Sequence, residues 1–142
     1  MLMWGLRDTT VDVDIRLDPE PAGIFAAIAK AKESLAANIE LASPLDFVPT
    51  LPGWRGRSEA ILTAGGLRVC LMDPYCQALS KLERGLARDL ADVEALRRAG
   101  KVDLLLLREM MTDPALSWER FPAADQQGTL ARLDAELGRG VP

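Results

Sequence analysis

Two acids two residues apart on a strand-forming run are the first chemistry this sequence offers. Asp12 and Asp14 sit in Thr10-Val11-Asp12-Val13-Asp14-Ile15. On a strand, side chains alternate between faces, so both carboxylates project the same way. Two like charges side by side repel; a divalent cation between them turns the pair to use. Magnesium takes hard oxygen ligands and is commonly held by one or two carboxylates plus substrate phosphates. Such a pair can align a triphosphate with an attacking hydroxyl. The same spacing also describes a half-buried strand with a solvated acidic face, its charge partly offset by Arg16.

Further candidates lie downstream. Glu40, between Ile39 and Leu41, becomes a third carboxylate if its strand neighbours the first; Asp46 is the runner-up. Either also reads as a surface acid. In a broadly helical segment Lys81, Arg84 and Arg88 share a face. Such a cluster suits a triphosphate, arginine giving bidentate contacts and lysine a point charge. The alternative is a helix-loop-helix with surface ion pairs, Asp89 and Asp92 serving the first turns of the second helix. Gly65-Gly66 lacks the spacing of a phosphate-binding loop and reads as a hairpin turn. Trp4, Trp54 and Trp118 have no mutual spacing that would stack bases, which favours packing roles.

Composition narrows the chemistry. The sequence has no histidine. That removes Ser-His and Cys-His nucleophile pairs, a histidine base and a Cys/His zinc site. The net charge of −4 argues against broad binding to duplex DNA. Cys70 and Cys76 are expected to be small packing residues. No apolar run is long enough to span a bilayer and no signal peptide is evident, so a cytoplasmic protein is expected. At 142 residues the chain fits one domain, able to bury roughly 70% of its unfolded surface.

The elements that must position these residues follow from pattern. Residues 10–17 alternate apolar and charged, a period-two strand. Asp18-Pro19-Glu20-Pro21 is expected to open a helix over about 22–37. Ile39-Glu40-Leu41 reads as a second strand, and residues 49–54 as a loop. Residues 59–63 and 67–72 flank the glycine pair as a hairpin. Asp73-Pro74 looks like a helix start, with Gly85 the stop. Further helices are expected over 86–99, 102–111 and 125–137. The order predicts an α+β domain over 1–142: a small mixed sheet within about 1–72, flanked by helices, then a helical part within about 73–142.

Taken in order, these motifs resemble a bacterial and archaeal group of minimal nucleotidyltransferase-like proteins, related to the nucleotidyltransferase toxins of abortive-infection and toxin-antitoxin systems. The resemblance rests on Thr10-x-Asp12-x-Asp14, then Ile39-Glu40-Leu41-Ala42-Ser43-Pro44, Asp46-Phe47-Val48-Pro49, Pro52-Gly53-Trp54-Arg55 and the Lys81…Arg84…Arg88-Asp89…Asp92 region, and spans about residues 6–111. It implies transfer of a nucleoside monophosphate from a nucleoside triphosphate to an RNA or protein hydroxyl, with magnesium. Asp12 and Asp14 would be metal ligands. Glu40, less surely Asp46, would be the third carboxylate, and Lys81 with Arg88 would face the phosphates. One departure stands out. The superfamily usually carries Gly-Gly-Ser or Gly-Gly-Thr before the Asp-x-Asp strand, where this sequence reads Met3-Trp4-Gly5-Leu6-Arg7-Asp8-Thr9. A catalytically degenerate member working as an interaction or antitoxin-like partner is the alternative, and a homodimer or protein partner is expected to cover the exposed sheet.

Overall fold

A computed structural model describes Gly5 and residues 12–139; Trp4, Thr10 and Val11 lie outside the described residues. Strand β1 (Asp12–Ile15) pairs in parallel with β2 (Asn38–Leu41). The ladder sets Asp12 opposite Asn38 and Asp14 opposite Glu40. Helix α1 (Ile24–Leu35) makes the crossover between them. It starts later than expected, and no acid lies in its first turn. Proline disfavours helical geometry in the residue before it, which keeps Glu20 out of a helix. Gly23 then caps the start in the left-handed conformation, at φ +80°.

A turn of 3-10 helix at Pro44–Asp46 and a four-residue helix α2 (Trp54–Arg57) occupy a stretch whose prolines and glycines read as loop. Strands β3 (Glu59–Ala64) and β4 (Leu67–Leu71) then form the expected antiparallel hairpin. Both residues of its turn have positive φ, Gly65 at 55° and Gly66 at 81°, which glycine adopts without strain. The mixed strand content thus falls into two two-stranded sheets, one parallel and one antiparallel, among the described residues.

Helices α3 (Pro74–Arg84), α4 (Ala87–Arg98), α5 (Leu104–Met111) and α6 (Gln126–Arg139) complete an α+β fold. The start of α3 is as its sequence predicts: the Asp73 carboxylate accepts the Tyr75 N–H at 3.1 Å, with Pro74 at the first helical position. Arg57 grips the same buried carboxylate through two bonds of 3.0 and 2.7 Å, tying α2 to α3. Gly85 ends α3 with φ +65°. Arg132 of α6 donates to the last-turn carbonyls of Leu82 and Glu83, at 2.8 and 2.9 Å.

The core sits in the helical half. Leu79 and Leu82 of α3, Leu96 of α4, Leu107 of α5 and Leu133 of α6 are fully buried. Each such leucine contributes roughly 1.5–3 kcal/mol relative to exposure. Leu45, Val48 and Leu51 bring the segment after β2 into the same cluster. The parallel pair contributes little, Ile39 being its buried residue. Cys76 is buried as expected, whereas Cys70 is exposed on β4 because both faces of the hairpin meet solvent. Among the described residues no helix is long and apolar enough to cross a membrane.

Candidate functional site

Strand alternation decides which side chains share the exposed face of the parallel pair. Val13, Ile15, Ile39 and Leu41 point one way; Asp12, Asp14, Asn38 and Glu40 point the other. The Asn38 side-chain amide donates to Asp12 Oδ1 and to Glu40 Oε1, both at 3.0 Å. One neutral residue therefore links an acid of β1 to an acid of β2. Asn38 was not singled out from sequence, although its spacing of two from Glu40 puts it on the same strand face.

Asp46 is placed differently. Its Oδ2 accepts the Ser43 N–H at 2.8 Å, while Ser43 Oγ accepts the Leu45 N–H at 3.2 Å. Its Oδ1 lies 3.6 Å from Arg16 Nη1. Both oxygens are thereby engaged in holding the turn and in joining it to the end of β1.

Lys81 and Arg84 on α3 face their own acids. Lys81 Nζ lies 2.6 Å from Asp92 Oδ2 and 3.6 Å from Asp89 Oδ1. Arg84 grips Asp89 with bonds of 3.1 and 2.7 Å. The ion pairs thus lie between α3 and α4, as the helix-loop-helix reading expects, but Asp89 and Asp92 are buried rather than at the surface. Burial works against charge on Asp89, yet its bond to Arg84 and the nearby Lys81 outweigh this and hold its carboxyl below the usual range. Arg84 is raised by that same bond, and the charge of Asp14 adds to it. Arg88 is exposed and makes no ion pair among the described residues.

Cys76 is no nucleophile: burial, with the charge of Asp73 beside it, pushes its thiol up to about 12. Two of the grooves on the described surface bear on the site. The larger, about 410 Å³, runs between α4 and α6; its Arg98 and Arg139 are already paired with Glu94 and Glu136, and no candidate acid lines it. The smaller, about 260 Å³, is lined by Asp46 and Glu83 with Phe47, Arg120 and Phe121.

The acids of this face offer oxygen ligands, which suits a hard cation such as magnesium, while the Asn38 amide N–H occupies the space between Asp12 and Glu40. Among the described residues no three acids or cysteines are grouped so as to hold a metal ion between them. The arrangement fits an ion held by one or two carboxylates whose remaining positions are filled by water and phosphate oxygens.

A parallel strand pair bearing paired acids, joined by a helical crossover and followed by helices, is an α+β arrangement consistent with a nucleotidyltransferase-like fold. The chain belongs to the DUF6036 family, described as a nucleotidyltransferase of unknown function, which matches residues 1–127. Neither the curated proteins nor the solved structures yield a match.

Proposed function

We propose that the protein is a magnesium-dependent nucleotidyltransferase moving a nucleoside monophosphate from a nucleoside triphosphate to a hydroxyl of an RNA or a protein. One observation carries this reading: Asp12, Asp14 and Glu40 share one exposed strand face, with Asn38 bridging Asp12 and Glu40. Asp12 and Asp14 would hold the ion, which when bound neutralises phosphate charge and helps hold the reacting groups in line. Glu40 receives the proton of the acceptor hydroxyl. The hydroxyl oxygen bonds to the α-phosphorus as the bond to the bridging oxygen breaks, and pyrophosphate leaves with that electron pair. Arg88, exposed on α4, and the half-exposed Arg84, whose guanidinium is shared with Asp89, are the cations available to phosphate. Lys81 is held by Asp92 and Asp89, so its role is to fix α3 against α4.

The test is label transfer. The protein is incubated with each of four α-labelled nucleoside triphosphates, magnesium, and cellular RNA or protein. A labelled acceptor is expected with wild type and not with the double variant Asp12→Asn/Asp14→Asn. Absence of both a labelled acceptor and magnesium-dependent nucleotide binding would sink the reading.

A second reading, a nucleotidyltransferase fold acting as an interaction partner, is favoured by the hairpin. Leu62 and Leu67 are each 55% exposed on a two-stranded sheet whose outer edges pair with no further strand among the described residues. Exposed apolar strands with open edges invite pairing with another chain. A second copy of this chain is the occupant proposed. Sedimentation should then show a dimer that Leu62→Lys/Leu67→Lys disrupts; a wild-type monomer at high concentration excludes it.

A further inference from the structure

Phe47 is 64% exposed, although its neighbours Leu45 and Val48 are buried. The turn that carries it is fixed from three sides: by the two bonds between Ser43 and its turn, and by the Phe47 N–H donating to Pro44 O at 3.2 Å. The ring is therefore held outward by a rigid support. It walls the groove of about 260 Å³, whose other side is formed by Arg120, Phe121 and Pro122. Arg120 is exposed and makes no ion pair among the described residues. Phe121 is fixed by its N–H to Trp118 O at 2.9 Å.

One link places this groove beside the acidic face. Asp46, on its wall, is ion-paired to Arg16, two residues beyond Asp14. Glu83, on the same wall, lies in the last turn of α3. The groove thus opens at the C-terminal end of β1, the end of parallel strands where ligands usually bind in α/β sheets. Its volume falls below the roughly 300–1,000 Å³ of pockets that enclose a whole small molecule. It is sized for one end of a nucleotide whose phosphates lie over Asp12 and Asp14.

We propose that this groove is the nucleobase subsite, with Phe47 and Phe121 as apolar walls for the ring, Glu83 accepting from an exocyclic amine and Arg120 donating to a ring acceptor. Aromatic walls take any base by its face. The carboxylate adds a preference: adenine, cytosine and guanine carry an exocyclic amine and uracil does not. This inference rests on the nucleotidyl-transfer reading.

Calorimetric titration of the intact protein with ATP, CTP, GTP and UTP in magnesium tests it, using Phe47→Ala, Phe121→Leu, Arg120→Ala and Glu83→Gln, each checked for native circular dichroism. Phe47→Ala is expected to weaken ATP by about tenfold or more, since it removes a stacking face. Phe121→Leu, which keeps apolar bulk, should weaken it less. Glu83→Gln should narrow the gap between ATP and UTP. Wild-type affinity for ATP in Phe47→Ala and Arg120→Ala, with binding lost in Asp12→Asn/Asp14→Asn, overturns the subsite and leaves nucleotidyl transfer standing. Failure of the wild type to bind any of the four nucleotides overturns both.

Discussion

Asn38 stands opposite Asp12 across the parallel ladder and donates to its Oδ1 at 3.0 Å, while the same amide reaches Glu40. It fixes where two acids point without adding charge. Asn38→Ala is expected to lower kcat for transfer by about tenfold with a smaller change in KM, because misplacing groups that act on the reacting atoms costs rate. Asp12→Asn/Asp14→Asn should lower the rate by roughly 100-fold or more, the scale on which loss of a charge-stabilising group acts. Equal losses in KM and kcat for Asn38→Ala would argue for a merely structural role.

The Lys81 network makes a prediction about stability. Asp89 and Asp92 are almost fully enclosed, and Lys81 serves both. Lys81→Met removes one cation from two enclosed carboxylates, Asp89 keeping Arg84, which costs about 1–3 kcal/mol. Urea unfolding followed by circular dichroism should show the midpoint falling with little change in slope. A change below about 0.5 kcal/mol, typical of surface substitutions, would mean the pair is solvated.

Acid titration singles out Glu94. Its bidentate bond to Arg97, then Arg98, holds its carboxyl at about 2, against an ordinary 4.5. A carboxylate depressed in the folded state stabilises above its unfolded pKa, and that contribution is lost as pH falls through the folded value. The loss therefore runs from about 4.5 down to about 2. Glu94→Gln should flatten the stability profile in that window, and salt should weaken the wild-type effect, since Arg98 is largely exposed. Identical acid limbs for the two proteins would contradict this.

Gly85 offers a stricter test. Its φ of +65° suits glycine, and an added Cβ would fall 2.6 Å from Arg132 Nε. Gly85→Ala strains the backbone and pushes Arg132 off the carbonyls that end α3. The expected cost is roughly 1–3 kcal/mol, read from thermal or urea unfolding. A neutral or stabilised variant would show that α3 can end another way.

The elements most legible in the sequence are those with local punctuation. Asp73-Pro74 and Gly85 bracket α3 to the residue, and Gly65-Gly66 marks the hairpin turn. The start of α1 misled because acids and prolines suggest a helix opening, while the restriction before Pro21 and the left-handed Gly23 delay it. Helix α2 hid among Pro52, Gly53 and Gly56 because it is held by a distant bond, Arg57 to Asp73. For the site, strand alternation put Asp12 and Asp14 on one face. The parallel register that sets Glu40 opposite Asp14 is tertiary information. So is the pairing of Lys81 with Asp92, eleven residues apart across a turn.

The acids of the proposed site are carried by two four-residue strands, and Ile39 is the buried residue of that pair. Such a pair opens at a much smaller free energy than the helical core, so its amide protons should exchange with solvent well before those of α3. A cation and nucleotide that bind only the closed ladder add their binding free energy to its opening cost, because the closed state is already the populated one. Binding would thereby slow exchange at Val13 and Ile39, making ligand occupancy visible as protection of the strands as well as a rise in global stability.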